Sequence, residues 1–129
     1  MLLARAKNEL YWSRRIAALL ATLDIVVYQE REHRLWDGTR VDLLTAQWAF
    51  EIDWAPKFAE AVGQCQWYRL NTARKPGIIL LVEDPAKDAK YIYRCRAICV
   101  ALNIELWLLH TTREILVINT SRYPLLPDA

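Results

Sequence analysis

Apolar residues at helical spacing open the chain. They predict a helix over residues 2–23, because no proline or glycine interrupts the series Leu3, Ala6, Leu10, Ala17 and Leu20. The stretch after it becomes polar, and the dipeptide Asp37-Gly38 then gives the strongest short hairpin signal in the chain. We therefore expect a β-hairpin with strands over 29–36 and 39–45.

A strict two-residue alternation marks a third strand over 47–53. Trp48, Phe50 and Ile52 share one face, while Glu51 and Asp53 share the other. Proline suits the first turn of a helix, so Pro56 predicts a helix over 56–72, which Lys75-Pro76-Gly77 would break.

The second half of the chain predicts two further buried strands around a helix. Residues 78–82 and 104–109 are short apolar runs typical of strands buried on both faces, and Asp84-Pro85 opens a helix over 86–102. Residues 114–119 are a possible edge strand. We expect one domain over 1–123 with a C-terminal tail, 124–129, and an α/β fold of order α-β-β-β-α-β-α-β with a mixed central sheet flanked by helices.

Composition removes several classes of function. The chain has 129 residues with a net charge of +2, which neither proves nor excludes a nucleic-acid partner. Its three glycines, Gly38, Gly63 and Gly77, are too scattered for a phosphate-binding loop or a dinucleotide fingerprint. Three cysteines suit a reducing compartment better than a disulfide framework, and the pair Cys95 and Cys99 is expected to pack in the core.

The sequence shows no apolar run approaching the roughly 20 residues that a membrane helix needs. Charged residues also interrupt the first ten positions, where a signal peptide would be apolar. We expect a soluble cytoplasmic protein with no membrane partner.

Three carboxylates are expected to share one sheet face. If core residues oppose core residues, Val41 pairs with Ile52 and Leu43 with Phe50, which places Asp42 across from Glu51. Asp53 projects from the same face, opposite the core. Such a cluster needs a cation, a proton or open solvent, so a divalent metal site and an ordinary solvated face both remain open at this point.

The next helix carries a polar line that starts close to these acids. Lys57, Gln64 and Tyr68 are spaced to form one stripe, with Glu60 at its edge, and Phe58, Val62 and Cys65 form a separate apolar stripe. An ordinary amphipathic helix with a solvated side explains the same spacing.

Together these residues resemble the PD-(D/E)XK nuclease superfamily. The segment from Val41-Asp42 through Glu51-Ile52-Asp53 to Lys57 and Gln64 is similar to small stand-alone bacterial and phage members, and the element order is similar too. Gln64 and Tyr68 match the Gln-x-x-x-Tyr motif of exonuclease domains in recombination helicase-nucleases.

The resemblance implies a restriction-endonuclease-like fold and a Mg²⁺- or Mn²⁺-dependent endo- or exodeoxyribonuclease. It implies that Asp42, Glu51 and the backbone carbonyl of Ile52 are metal ligands, with Glu9 a peripheral acid near the metal. Gln64 and Tyr68 would help to place both the nucleic-acid strand, expected to be DNA, and the site itself.

One departure from the family pattern bears on catalysis. The lysine expected two residues after Glu51 is Asp53, so Lys57 would have to supply the ammonium from the helix start, with Asp53 binding a second metal or orienting Lys57. The alternative is an inactive nuclease-fold module that binds nucleic acid or a protein partner.

Residues outside the acid cluster are candidates for binding nucleic acid or a partner. Arg69, Arg74 and Lys75 end the same helix and could contact phosphates, although cations at a helix C-terminus are also favoured by its dipole. Of the six tryptophans, Trp54 is the best candidate for a base or partner contact. A chain this small offers little surface for sequence readout, so we expect a homodimer or higher homo-oligomer.

Overall fold

The computed structural model describes residues 8–23, 29–118 and Thr120. Within these ranges the chain forms three α-helices, one short 3₁₀ turn and six strands. In chain order they are α1 (Glu9–Ala21), β1 (Gln29–Arg34), β2 (Arg40–Thr45), β3 (Trp48–Trp54), the 3₁₀ turn (Ala55–Lys57), α2 (Phe58–Thr72), β4 (Lys75–Val82), α3 (Pro85–Leu102), β5 (Glu105–His110) and β6 (Ile115–Val117).

The described strands form one mixed sheet in which spatial order follows chain order, β1-β2-β3-β4-β5-β6. β1, β2 and β3 are joined antiparallel, β3, β4 and β5 run parallel, and β6 returns antiparallel to β5. The parallel pairs need crossover connections, and α2 and α3 supply them. The predicted α/β class, the mixed sheet and the element order are confirmed.

Helices cover both faces of this sheet, so the molecule has two apolar layers. On one face α1 packs Trp12, Ile16 and Leu20 against a layer that includes Phe50 and Ile52. On the other face α2 and α3 pack against a layer of sheet residues: Val41, Leu44, Ala49, Ile78, Leu80, Val82, Leu106 and Leu108. The prediction that the acids lie on a face opposite the core is therefore wrong, because that face carries the second apolar layer.

Element boundaries differ from the predicted ones at two informative places. The helix expected over 56–72 begins as a 3₁₀ turn and becomes α-helical at Phe58. The helix ends at Thr72, before Lys75-Pro76-Gly77, as predicted, but these three residues also begin β4, which was expected to start at residue 78. Gly77 pairs with Phe50, and a Cβ built on Gly77 would lie 2.4 Å from the Phe50 ring, so the glycine is needed for packing inside the strand.

The remaining boundaries follow the prediction closely. The Asp37-Gly38 turn joins β1 and β2, with Gly38 at a positive φ of 89°. The first helix is described from Glu9 onward, and residues 1–7 and the predicted tail over 124–129 lie outside the described residues. Cys65, Cys95 and Cys99 are free and buried, as expected for core cysteines. None of the described helices combines the length and apolar character required to span a bilayer.

Candidate functional site

The antiparallel pair β2–β3 brings the first two predicted acids together. Leu43 pairs with Phe50, as the hydrophobic pattern predicts, and Leu44 pairs with Ala49. Asp42 and Glu51 come next along the two strands, and their side chains contact each other. Next to this pair the Ile52 backbone N–H donates a hydrogen bond to the Asp42 side chain, at 2.7 Å from Oδ2. This hydrogen bond holds the Asp42 side chain against β3, the strand that also carries Glu51. The expectation that Val41 and Ile52 face the same core is wrong, because they lie in different apolar layers.

Both carboxyl groups are held in an environment that opposes their ionisation. Burial raises the pKa of Asp42, an effect partly offset by the Ile52 N–H. Burial also raises the pKa of Glu51, and the neighbouring charge of Asp42 raises it further. The two side chains are hydrogen-bonded to each other, which requires one of them to hold a proton when no cation is present.

Tyr68 holds the second member of this pair from α2. Its hydroxyl lies 2.5 Å from Glu51 Oε1 and 2.8 Å from the Arg40 carbonyl oxygen, and its single proton can serve one of these acceptors at a time. The side chain is 2% exposed and belongs to the apolar layer between α2 and the sheet. The predicted polar stripe is therefore wrong at Tyr68, which is buried and does not face a nucleic-acid strand. Its hydrogen bond to Glu51 agrees with the other expected role, that of helping to place the site.

A second pair of acids lies beside the first. Asp53 accepts the Trp54 N–H at 2.8 Å and is hydrogen-bonded to Glu9, which stands in the first turn of α1. Burial and then the charge of Glu9 raise the pKa of Asp53 to about 7, while the charge of Lys57 lowers it. The predicted placement of Glu9 near the acid cluster agrees with this geometry.

These groups line a groove of about 640 Å³ between the start of α1, the β1–β2 hairpin and α2. Its walls are formed by Glu9, Thr39, Glu51, Asp53, Lys57, Glu60, Gly63, Gln64 and Trp67. Lys57 and Gln64, both predicted site residues, are exposed here. A larger cavity of about 790 Å³ lies beyond the ends of β4 and β5 and contains none of the predicted site residues.

The three predicted phosphate contacts at the end of α2 lie elsewhere. Lys75 pairs with Trp48 at the start of β3, five residues before Asp53, which corresponds to ~16 Å along the strand. Arg74 donates to the carbonyls of Ala46 and Thr72, and together with Arg69 and Lys75 it lines a separate cavity. The structure therefore does not bring Arg69, Arg74 or Lys75 to the groove.

The oxygen atoms that could bind a hard divalent cation come from carboxylates that meet in pairs. Among the described residues, no three His, Cys, Asp or Glu side chains converge as a group that could hold a metal ion. The contact between Asp42 and Glu51 nonetheless provides carboxylate oxygens of the kind that Mg²⁺ or Mn²⁺ binds, in a place where two negative charges are costly without a cation. The Ile52 carbonyl remains a predicted ligand.

Sequence reasoning missed two walls of the groove. Thr39 and Trp67 both line it, Thr39 from the hairpin and Trp67 from α2 one turn beyond Gln64. The spacing of Trp67 from Gln64 was an available signal, since residues three apart lie on the same side of a helix. Trp54, the predicted contact residue, is instead half-buried and packs against the layer under α1.

Comparison with protein-family models, with curated proteins and with solved structures finds no match to this chain.

Proposed function

We propose that the chain is a metal-dependent nuclease of the PD-(D/E)XK type that hydrolyses phosphodiester bonds of nucleic acid, DNA in the first instance. The observation that carries the proposal is the contact between Asp42 and Glu51, two half-buried acids from adjacent strands, of which Glu51 lines a groove together with Asp53 and Lys57. A restriction-endonuclease-like assignment of the fold is part of this proposal, and the element order supports it.

In this proposal Asp42 and Glu51 hold Mg²⁺ or Mn²⁺, with the Ile52 carbonyl completing the protein ligands and Glu9 nearby. Such an ion, when bound, polarises a phosphate oxygen and makes water a stronger nucleophile at neutral pH. Tyr68 keeps the Glu51 carboxyl in place, and the Ile52 N–H does the same for Asp42. This support matters because displaced ligands lose affinity and rate.

Lys57 is the group that replaces the missing motif lysine. It ends the 3₁₀ turn and immediately precedes α2, lines the groove, and lies close enough to Asp53 to lower that residue's pKa by its charge. Its ammonium binds a phosphate oxygen and stabilises the negative charge that develops during hydrolysis, while Asp53 orients it. Loss of one such preorganised charge typically costs about 10²–10³ in rate.

Cleavage assays test the catalytic roles. We expect Mg²⁺- or Mn²⁺-dependent cleavage that is lost in Glu51→Gln and reduced about 10²- to 10³-fold in Lys57→Ala. Lys75→Ala is the matched control, since it removes the same charge outside the groove. Equal rates for wild type and Lys57→Ala would remove Lys57 from the mechanism. Absence of cleavage on duplex, branched and single-stranded substrates would refute the nuclease proposal.

Metal binding is tested apart from activity. Titration calorimetry with Mn²⁺ should show binding to the wild type that Asp42→Ala abolishes. Lys57→Ala is the control here, because it leaves the carboxylates intact and should retain binding. Unchanged Mn²⁺ affinity in Asp42→Ala would reject the site.

The second candidate is an inactive nuclease-fold module that binds nucleic acid or a protein partner. The position of Asp53 favours it, since the motif lysine is absent there and the groove carries four acidic side chains against one lysine, Lys57. Metal-independent binding without cleavage, unaffected by Glu51→Gln, is the outcome that would support it over the enzyme.

A further inference from the structure

Trp67 lines the acidic groove, and Trp36 lies beside it. Trp36 is at the tip of the β1–β2 hairpin and is 79% exposed, and Trp67 is on α2 and is 36% exposed. Their ring centroids are 6.5 Å apart and their planes meet at 55°. The pair therefore presents aromatic surface to solvent from two elements that are distant in sequence.

Hydrogen bonds hold both indoles by their polar edges. Trp36 Nε1 donates to Asn71 Oδ1 at 2.7 Å, and Trp67 Nε1 donates to Asp37 Oδ2 at 3.1 Å. Asp37 is itself fixed by the Thr39 N–H at 3.0 Å. Because the N–H groups bond within the protein, the ring positions are set in advance, and most of the Trp36 ring remains open to a ligand.

The tryptophan pair is continuous with the candidate site. Trp67 lines the same groove as Glu51, Asp53 and Lys57. That groove carries four acidic side chains and one lysine, so its charge does little to attract a phosphate backbone. A nucleic acid bound here needs a contact that does not depend on phosphate charge, and an aromatic face provides one through base stacking.

We propose that Trp36 and Trp67 form a stacking platform for an unpaired base, so that the substrate class is nucleic acid with a single-stranded segment. A base within a duplex is already stacked on both faces, whereas an unpaired base has a face to offer. This inference rests on the proposed function, because it assigns the substrate class of the same groove.

Binding is measured by fluorescence anisotropy with Ca²⁺ in place of Mg²⁺, and intact ligand is verified on gels. The ligands are a 12-nucleotide single strand, the same strand with abasic positions, and the blunt duplex. Trp36→Ala should weaken binding of the single strand about 5- to 100-fold and change duplex or abasic-strand binding less than twofold. Trp36→Tyr keeps a ring and should remain within about threefold of wild type.

The matched control is Tyr93→Ala, which removes a 37% exposed aromatic ring from α3, outside the groove. It should leave all three affinities unchanged. Trp36→Leu keeps apolar area without a π face, and full single-strand affinity in this variant would overturn the stacking proposal. Loss of a dimer in Trp36→Ala by light scattering, with unchanged nucleic-acid binding, would also overturn it.

The outcomes separate this inference from the nuclease proposal. Metal-dependent cleavage together with Trp36-independent single-strand binding would overturn the platform and leave the nuclease standing. Trp36-dependent single-strand binding without cleavage would support the platform and refute the nuclease. A wild type that binds none of the ligands would overturn the platform, whereas the cleavage assays, which include a branched substrate, decide the nuclease.

Discussion

The Tyr68 hydroxyl touches two strands, through the Arg40 carbonyl of β2 and the Glu51 carboxyl of β3. Tyr68→Phe keeps the buried ring and leaves these two groups without that partner. We expect a loss of about 1–3 kcal/mol in the free energy of unfolding, measured by urea denaturation. Tyr93→Phe, at an exposed position on α3, is the control and should change stability by less than about 0.5 kcal/mol. A neutral Tyr68→Phe would show that water replaces the hydroxyl.

The acid pairs make stability depend on pH when metal is removed. The folded-state pKa values of Asp42, Asp53 and Glu51 are all raised, that of Glu51 to about 9. Between about pH 4 and pH 9 these three acids therefore bind more protons in the folded chain than in the unfolded chain, and the single lowered pKa of His110 opposes them only in part. The free energy of unfolding should fall as pH rises through this range, which thermal melts in EDTA measure.

Neutral variants provide the check on that pH dependence. Asp42→Asn removes one charge of the contacting pair, so the melting temperature in EDTA should fall less steeply with pH than in wild type. Added Mn²⁺ should raise the wild-type melting temperature most at high pH, where the carboxylates are ionised. A wild-type melting temperature that rises from pH 5 to pH 8 in EDTA would contradict the assignment.

At the scale of elements, Gly77 decides how closely β3 and β4 pack. Gly77→Ala places a Cβ 2.4 Å from the Phe50 ring, which is fully buried, so the ring must shift. We expect a loss of about 1–3 kcal/mol in chemical denaturation. The matched control is Gly63→Ala, at an exposed position on α2 where an added Cβ meets nothing within 4 Å. This change should stabilise the chain by about 0.5–1 kcal/mol. Equal stability of the two variants would refute this packing argument.

The pairing of Leu43 with Phe50 was predictable because alternating side chains admit few registers. A slip by one residue would bury Glu51 in place of Phe50, and the observed pairing brings Asp42 and Glu51 together. Val41 was not predictable in this way, because it lies in the other apolar layer. The order of elements followed from the same periodicities and from the turns at Asp37-Gly38 and Asp84-Pro85.

Side-chain roles on α2 were less predictable, because helical spacing shows which residues share a side of the helix but not how deeply each is buried. Tyr68 shares a stripe with Lys57 and Gln64, yet α2 packs closely enough on the sheet to bury it. The partnership of Trp67 with Asp37 depends on how the hairpin tip meets α2 across 30 residues, which no local pattern encodes. The same limit applies to Gly77, whose role in β4 depends on the Phe50 ring of another strand.

At the scale of the molecule, the chain is expected to act as a homodimer or higher oligomer. One chain of 15.1 kDa presents a groove of about 640 Å³ that is lined by Glu9, Glu51 and Asp53. Apolar side chains are exposed on two helices, Leu70 at 72% on α2 and Val100 at 76% on α3. Light scattering after size exclusion should give at least twice 15.1 kDa, and Val100→Asp should lower it if α3 forms the interface. A monomer at all concentrations would refute the prediction.

The bond from the Ile52 N–H to Asp42 Oδ2 makes one backbone proton a reporter of the site. An amide that donates to a carboxylate resonates further downfield than one that donates to a neutral acid, since the charged acceptor draws the proton more strongly. In a ¹H–¹⁵N spectrum, the Ile52 cross-peak should therefore move as Asp42 gains or loses its proton and move again when a diamagnetic cation such as Mg²⁺ engages that carboxylate. Isotope labelling of the unmodified chain would then follow occupancy of the site without any substitution.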